Sequence, residues 1–254
     1  LSTEQLDVLA NIYRGPVNAT GEALYSTQPF DPGLLGSNWA SWKFDSSVGT
    51  ARDPVAVGII FQVPPDPSMM QNSRQFAFNF NFDVDYAKLS ATNETYQESA
   101  MSFMIPPDEL NLDQLQQRGG KMIVVQGTAD GVFSVDDTQN WYDKLLQKYQ
   151  NNASGDASSF VRFFRVPGMN HSHGGIATDQ FDALKALVNW VEYGQAPDRI
   201  IAGARGEGNA SDQVNTELPS DWSANRTRPL CPYPLIARYN GQGDSELAEH
   251  FSCK

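Results

Sequence analysis

Two short apolar runs, each followed by a helical pattern, constrain the fold of this 254-residue chain more than any other feature. Residues 121–125 read KMIVV, a run typical of a strand that is buried on both faces. Residues 160–166 read FVRFFRV and predict a second strand, which ends at a Pro-Gly pair. The order strand, helix, strand, helix predicts an α/β fold at the edge of a doubly wound sheet, with parallel strands joined by right-handed crossovers.

Capping residues and apolar spacing define the helices that follow these strands. Ser134 and Asp137 form a capping pair, and apolar residues at helical spacing then continue to Tyr149. A second helix is predicted from about residue 179 to residue 193, where Gly194 stops it. Its predicted apolar face carries Phe181, Leu184, Leu187, Val188 and Val191.

Residues 1–112 lack this alternation and are predicted to be irregular and to form a domain separate from residues 113–254. Ser2 and Gln5 fit a capping box at the start of an opening helix. Phenylalanines alternate with small or polar residues over residues 76–82, which predicts a strand. Because the chain starts without Met and directly inside a helical pattern, we expect it to be a processed or truncated part of a longer protein.

The charge of the chain argues against two classes of partner. Its net charge is −12 and its isoelectric point is about 4.6, so its surface would repel nucleic-acid phosphates and anionic lipids. No window of the sequence approaches the roughly 18 consecutive apolar residues that span a bilayer. We therefore expect neither a nucleic-acid partner nor a membrane partner.

The cysteines and the glycosylation sequons favour a secreted, extracellular protein. Cys231 and Cys253 flank a stretch rich in Pro, Gly and Asn, where a disulfide is favoured over two free thiols. Acceptor sequons begin at Asn18, Asn93, Asn152, Asn170, Asn209 and Asn225. This number exceeds what chance gives for the composition and favours a eukaryotic secretory pathway, although in a bacterial protein the sequons would carry no meaning.

One acidic residue and one histidine follow the two predicted strands directly. Asp130 lies in the segment GTADGVFS after the first strand, and His171 lies in the segment PGMNHSHGG after the second. Loops at the carboxyl ends of neighbouring parallel strands lie side by side, which is where α/β sheets gather functional groups. An acid followed by a histidine matches the hydrolase order serine, acid, histidine, in which the carboxylate orients the imidazole that activates the serine.

Simpler interpretations of these residues stay open at this point. Asp130 fits a turn cap before Gly131 about equally well. His171 and His173 would share a face in an extended segment and could bind a metal ion there, although no third ligand is evident. Two pairs of aspartates, Asp83 with Asp85 and Asp136 with Asp137, could bind calcium. Acids in such positions are more often solvated residues of a turn or of a helix start, so calcium binding is the minor alternative.

The nucleophilic serine of such a triad is missing from the chain. No Gly-x-Ser-x-Gly motif occurs, and Ser37 and Ser245, which lie near glycines, lack the second glycine and the preceding strand. We expect an N-terminal chain or segment to supply the serine, so that this chain alone would not turn over a substrate. A non-catalytic, hydrolase-like binding protein and a metal-dependent hydrolase are the alternatives.

Several motifs along nearly the whole chain match one known family. They read GTADGVFS at residues 127–134, VPGMNH at 166–171, FDAL at 181–184, WVEYG at 190–194 and TRPLCPYP at 227–234. Two further segments, ARDP at 51–54 and SAMSF at 99–103, are similar to lid segments of that family. On these motifs the chain resembles the tannase and feruloyl esterase family.

The resemblance implies an α/β-hydrolase fold in which residues 1–112 are part of an inserted lid domain and residues 113–254 are the C-terminal part of the hydrolase domain. It implies a secreted serine carboxylesterase that acts on small aromatic acid esters such as feruloyl or galloyl esters. Catalysis would require no cofactor, and the structural calcium loop of the family's lid would lie before Leu1. The tail cysteines match a disulfide of the family.

The resemblance also assigns roles to single residues. Asp130 matches the triad acid and His171 the triad base, while Phe133 matches a position that contacts the aromatic ring of the substrate. Trp39 and Arg52 fall in the lid region, where residues that stack on rings and bind carboxylates occur. These assignments are expectations from the family pattern alone.

The chain departs from the family pattern at two points. Family members usually carry a cysteine directly after the catalytic histidine, bonded to a cysteine before the serine, and Ser172 takes that place here. Without this covalent tie, the geometry of the triad would depend on packing alone. The nucleophile segment would also lie before Leu1, as in the second chain of fungal members that mature into two chains.

Overall fold

The computed structural model describes residues 1–31, 33, 36–209 and 213–254, which divide into two compact units. The first unit comprises Leu1–Gln28 and Ala40–Glu109, and the second comprises Pro29–Trp39 and Leu110–Lys254. The segment 29–39 therefore belongs with the C-terminal part of the chain, which the sequence did not predict. The assignment of residues 1–112 to a lid domain stays a prediction.

Helices are more numerous than strands along the described residues. The α-helices are α1 (Thr3–Arg14), α2 (Ser37–Ala40), α3 (Asp53–Ala56), α4 (Ser73–Asn79), α5 (Ala100–Met104), α6 (Asp113–Gln117), α7 (Val135–Tyr149) and α8 (Ala183–Tyr193). The strands are β1 (Met122–Gly127), β2 (Val161–Val166), β3 (Ile200–Gly203), β4 (Thr227–Leu230), β5 (Ala237–Tyr239) and β6 (Phe251–Cys253). Short π-helical and 3₁₀ segments span Ser41–Asp45, Val48–Arg52, Val57–Phe61, Pro67–Met70, Tyr86–Ser90, Ala157–Ser159 and Ala248–His250. None of the described helices is long and apolar enough to cross a bilayer.

The first unit contains the predicted opening helix and several further short helical segments, so it is more helical than the predicted irregular chain. The predicted capping box is present at α1, where the Gln5 amide donates to Oγ of Ser2 at 3.3 Å and the Ser2 amide donates to Oε1 of Gln5 at 2.8 Å. Polar residues act as helix caps in this unit. The side chains of Asp66, Asn72 and Ser99 each accept a hydrogen bond from a backbone N–H in the first turn of a helix.

The predicted strand at residues 76–82 is also wrong, because most of it lies in α4. Asn72 caps this helix by accepting from the Gln75 amide at 3.1 Å. The rings of Phe76 and Phe80, four residues apart, pack edge to face with centroids 5.9 Å apart. A pattern with aromatic residues at every second position also places them four apart, so it fits one helix face as well as one strand face.

The second unit is built on two parallel strands, as predicted. β1 and β2 pair in register from Met122 opposite Val161 to Gly127 opposite Val166. Both strands therefore end at the same edge of the sheet, and the loops that follow them start side by side.

Apolar residues cover both faces of this sheet. On one face, Tyr142, Leu145 and Tyr149 of α7 pack with Val161 and Phe163. On the other face, the core contains strand residues from β2, β3 and β4, with the start of α8 packed against it: Phe164, Val166, Ile200, Ala202, Leu230, Phe181, Ala183 and Ala186. The alternation along β2 gives each face its own core, and burial of each large side chain stabilises the unit by about 1.5–3 kcal/mol.

The helix predicted from about residue 179 begins later, at Ala183. Asp182 caps it by accepting from the Lys185 amide at 2.7 Å. The residues before this cap do not join the helix, because the backbone of Gln180 forms a β-bridge with Gly203. The predicted apolar face is only partly buried, because Leu184 is 71% and Val191 56% exposed.

The tail of the chain forms two small antiparallel sheets. β3 pairs with β4, and β5 pairs with β6. A disulfide joins Cys231, which follows β4, to Cys253 in β6, with their Cα atoms 5.5 Å apart. The tail also covers an edge of the parallel sheet, where Phe164 of β2 forms an antiparallel bridge with Pro232.

Candidate active site

Asp130 is fixed by the backbone of its own loop. It is buried, with 5% of its surface exposed. Its Oδ1 atom accepts hydrogen bonds from the amides of Val132, at 2.7 Å, and Phe133, at 3.1 Å. Hydrogen bonds from backbone amides to a carboxylate are short and directional, so they hold the second oxygen in one position.

That second oxygen faces His171. Oδ2 of Asp130 lies 3.1 Å from Nδ1 of the His171 ring. The two side chains differ in access, because the His171 side chain is 35% exposed whereas that of Asp130 is 5% exposed. A proton on Nδ1 that is donated to the carboxylate leaves Nε2 as the basic nitrogen.

The turn-cap and triad interpretations of Asp130 are therefore compatible. Oδ1 caps the turn, and Oδ2 contacts the histidine. The turn bonds serve the second contact, since they orient the carboxylate toward the neighbouring loop.

Two glycines allow close backbone approaches at the strand-end loops, Gly127 to the His171 loop and Gly168 within the segment that forms that loop. A Cβ atom at Gly127 would collide with the carbonyl oxygen of Met169. Gly168 has a φ of +73°, and a Cβ atom there would collide with the carbonyl oxygen of Ile176. A side chain at Gly127 would separate the two loops, and one at Gly168 would distort the His171 loop and strain its backbone.

Phe133 presents an aromatic surface next to the histidine. Its side chain is 58% exposed, and its ring centroid lies 5.6 Å from that of His171. Its backbone is fixed, because its amide donates to Asp130 and its carbonyl oxygen accepts from Nε2 of Gln126 at 3.0 Å. Asp130 and His171 thus lie together, as expected for the loops after neighbouring parallel strands, and Phe133 lies beside them. The roles that the resemblance assigns to the three residues stay predictions.

The two looser substrate-contact predictions concern Trp39 and Arg52. Trp39 is buried in the second unit. Arg52 lies in the first unit, where its exposed guanidinium pairs with Asp53 at 2.9 Å. Roles for these two residues in substrate binding stay predictions.

The pair of histidines does not have the geometry that the metal hypothesis requires. Ser172, between His171 and His173, has a φ of +70°, so the segment turns instead of being extended. Within the described ranges, no group of three His, Cys, Asp or Glu side chains is placed to hold a metal ion.

Asp31 connects the two loops, and the sequence did not indicate it. Oδ2 of Asp31 accepts from the Thr128 hydroxyl, in the Asp130 loop, and from the Gly168 amide, in the His171 loop, the latter at 3.1 Å. These partners lie 97 and 137 residues away along the chain. Asp31 follows Pro29-Phe30 and resembles an ordinary turn acid, so no local signal separates it from other acids.

An ion pair holds the far end of the His171 loop. Oδ2 of Asp179 accepts from the Gly174 amide at 2.6 Å, and the Arg205 guanidinium donates to both carboxylate oxygens of Asp179, at 3.0 and 2.5 Å. Burial alone would raise the pKa of Asp179, but the hydrogen bonds from Arg205 and Gly174 outweigh it and lower the pKa. The carboxylate therefore stays ionised and bound to the loop.

The sequons differ in accessibility. Asn93, Asn152 and Asn225 are exposed, and Asn18 and Asn209 are half-buried. The two residues that complete the Asn209 sequon lie outside the described residues. Asn170 is buried, so its amide is not available for glycan attachment in the folded chain. Glycosylation at the other five sites stays a prediction.

Sequence comparison relates the whole chain to one family. The profile of the tannase and feruloyl esterase family matches residues 1–254. Mono(2-hydroxyethyl) terephthalate hydrolase of Piscinibacter sakaiensis is 37% identical over 268 residues, which cover 100% of this chain and 42% of that protein. A probable feruloyl esterase of Arthroderma benhamiae is 26% identical over 258 residues, with 100% and 43% coverage. The chain spans less than half the length of these curated relatives.

Solved structures agree in fold. Feruloyl esterase B from Aspergillus oryzae superposes with a TM-score of 0.58 at 20% identity, covering 100% of this chain and 46% of that one. Tannin acyl hydrolase from Aspergillus niger gives a TM-score of 0.60 at 18% identity, with 100% and 42% coverage. At these identities the superpositions establish a shared fold of helices and small sheets. The profile match over residues 1–254 shows that the chain belongs to the tannase and feruloyl esterase family.

Proposed function

We propose that this chain is the C-terminal part of a serine carboxylesterase with an α/β-hydrolase fold, in which Asp130 and His171 are the acid and the base of the catalytic triad. The observation that carries the proposal is the 3.1 Å contact between Oδ2 of Asp130 and Nδ1 of His171. It joins the loops after two adjacent parallel strands, as the triad chemistry requires. The esterase and hydrolase names of the relatives support the reaction class.

We assign the nucleophilic serine to a segment outside this chain. The 254 residues contain no Gly-x-Ser-x-Gly motif. In the described part of the parallel sheet, β1 pairs with β2 and leaves its other edge unpaired. The unpaired edge of β1 suits a further strand of the same sheet, which we propose that the missing segment supplies.

The proposed reaction is acyl transfer in two steps. The serine oxygen bonds to the ester carbonyl carbon while Nε2 of His171 takes the hydroxyl proton. The bond to the alcohol oxygen then breaks, and His171 gives the proton to the leaving alcohol. Water attacks the acyl-serine with His171 again acting as the base, and the proton returns to the serine as the carboxylic acid leaves. Asp130 stays ionised throughout and holds the Nδ1–H of His171.

We propose small aromatic acid esters, such as feruloyl or galloyl esters, as the substrates. The exposed ring of Phe133 beside His171 supports an aromatic acyl group, because aromatic rings attract one another in tilted or edge-to-face contacts. The names of the relatives point to the same class: terephthalate hydrolase, feruloyl esterase and tannin acyl hydrolase.

We propose that the protein is secreted and that the first unit is part of a lid. The Cys231–Cys253 disulfide and the exposed sequons support an oxidising, extracellular location. Catalysis by a serine triad needs no cofactor, and the calcium loop that the family resemblance implies would lie in a lid segment outside this chain.

Substitution of His171 tests the proposal in the full-length protein that contains this chain. We expect His171→Ala to lower kcat/KM for methyl ferulate or methyl gallate by at least about 10³-fold, since the triad base takes part in both steps. His173→Ala is the matched control, because His173 is exposed in the same loop, and it should stay within about threefold of the parent. A loss of less than about tenfold in His171→Ala would exclude the assignment.

A further inference from the structure

We propose that Glu217 is a positioning residue that sets the orientation of His171 from outside the triad, an inference that rests on the proposed esterase function. One oxygen of its carboxylate contacts both ends of the His171 loop. Oε2 accepts from the side-chain amide of Asn170 at 3.2 Å and from the backbone amide of Gly175 at 2.7 Å.

The contact with Asn170 acts on the residue directly before His171. Asn170 is buried, with 2% of its surface exposed, and its Oδ1 atom has no hydrogen-bond partner among the described residues. Glu217 therefore supplies the polar contact that holds this side chain. Without it, a buried side-chain amide would be left entirely unsatisfied, and a shift of the Asn170 backbone that brought this amide to a new partner would displace the adjoining His171.

Asn215, two residues before Glu217, also bonds to Gly175 of the His171 loop. The Glu217 amide donates to Oδ1 of Asn215 at 3.0 Å, and Nδ2 of Asn215 donates to the Gly175 carbonyl oxygen at 2.7 Å. The Asn215 amide in turn donates to the carbonyl oxygen of Arg205 at 2.7 Å. Both backbone groups of Gly175 are thus bonded to the segment 215–217.

The backbone directly after His171 needs such support. Ser172 has a φ of +70°, a conformation that costs a residue with a side chain about 1–2 kcal/mol. Backbone strain of this kind persists only where the surrounding contacts fix the chain. The antiparallel bridge between Met169 and Gly175 closes the loop at its base, and Glu217 bonds to both sides of that closure. If Glu217 were lost, Ser172 could relax to an ordinary conformation and turn His171 away from Asp130.

A positioning role makes a specific kinetic prediction for Glu217→Ala in the full-length protein. The turnover number for methyl ferulate should fall by about 10- to 100-fold, because small displacements of a catalytic group are costly. KM should stay within about twofold, since Oε2 of Glu217 contacts Asn170 and Gly175 of the His171 loop and its loss acts through the catalytic base. Glu217→Gln keeps an oxygen in the place of Oε2 and should stay within about threefold of the parent kcat. Turnover is expressed per folded enzyme, because a loss of stability alone lowers the apparent kcat at constant KM but leaves the turnover of the folded fraction at the parent value.

Asp221→Ala provides the matched control. Asp221 is an exposed acid four residues further along the same tail segment, so its substitution changes the net charge equally. We expect parental kcat and KM. An equal loss in Asp221→Ala and Glu217→Ala would overturn the proposal, as would parental kcat in Glu217→Ala.

Glu217→Asp tests the proposal if Glu217→Ala fails to fold. This change keeps the charge but shortens the side chain by one methylene, so its carboxylate cannot reach both Asn170 and Gly175. We expect a kcat loss of at least about fivefold with the melting temperature near the parent value, and parental kcat would overturn the proposal. These outcomes differ from a failure of the proposed esterase function. If that function were wrong, His171→Ala would keep its activity or the parent protein would hydrolyse no ester.

Discussion

Gly168 and Gly119 have nearly the same backbone conformation but different surroundings. Their φ angles are +73° and +72°. A Cβ atom at Gly168 would collide with the carbonyl oxygen of Ile176, whereas at Gly119 no atom lies within 4 Å of that position. The two residues therefore separate the cost of the backbone conformation from the cost of close approach.

We expect Gly119→Ala to lower the free energy of unfolding by about 1 kcal/mol, from the left-handed conformation alone. Gly168→Ala should cost at least about 2 kcal/mol more, because the loop must also move away from Ile176. Urea unfolding of both variants measures the difference. Equal losses would mean that the close approach of the His171 loop to Ile176 is not as tight as described.

The candidate site was predictable at Asp130 and His171 because both follow strands that local patterns reveal. Asp31 and Glu217 were not predictable in the same way. Asp31 contacts residues 97 and 137 positions away, and Glu217 contacts residues 42 and 47 positions away. Such contacts depend on how the tail and the segment 29–39 fold back on the sheet, and neither carries a local pattern that encodes this.

At the scale of elements, buried segments followed their sequence patterns more closely than exposed ones. β1, β2 and α7 form within a few residues of their predicted bounds, because their apolar periodicity is enforced by the cores on both faces of the sheet. In α4 no residue is buried, so no core enforces its conformation. Capping by the Asn72 side chain favours a helix over a strand there. α8 begins at Ala183 and not near residue 179 as predicted, because the backbone of Gln180 pairs with that of Gly203.

The Asp179–Arg205 pair, which joins the His171 loop to the segment after β3, predicts a pH-dependent stability. The pKa of Asp179 lies below its ordinary value of 3.8, so the folded state binds the proton less readily than the unfolded state. The stabilisation is therefore complete above the ordinary pKa and is lost as the pH falls through the lower pKa of the folded state. Asp179→Asn should cost about 2–3 kcal/mol at pH 7, and this difference from the parent should shrink below pH 3.8.

Unfolding by urea between neutral pH and about pH 3 tests this prediction. Asp198→Asn is the matched control, because Asp198 also pairs with an arginine, Arg162 at 3.0 Å, but its side chain is 93% exposed. Its substitution should change the free energy of unfolding by less than about 0.5 kcal/mol. A cost for Asp179→Asn that stayed constant down to the lowest pH would contradict the assigned ionisation.

At the scale of the whole molecule, the sequence established the family and the parallel sheet but not the division into units. The predicted boundary near residue 112 lies close to the start of Leu110–Lys254, yet Pro29–Trp39 joins that unit across the chain. A composition change marks where one type of segment ends, but it cannot reveal a segment that returns to a distant core. Because we propose that the serine lies outside this chain, we assign the proposed activity to the full-length protein.

The central claim is that Asp130 and His171 act as one catalytic unit, and a double-mutant cycle tests it most directly. In the full-length protein, kcat/KM for an activated aryl ester is measured for Asp130→Ala, His171→Ala and the double variant, above the spontaneous rate. We expect the double variant to lie within about threefold of His171→Ala, because Asp130 acts only through His171. Losses that multiply, so that the double variant falls below His171→Ala by the full factor of Asp130→Ala, would contradict the account.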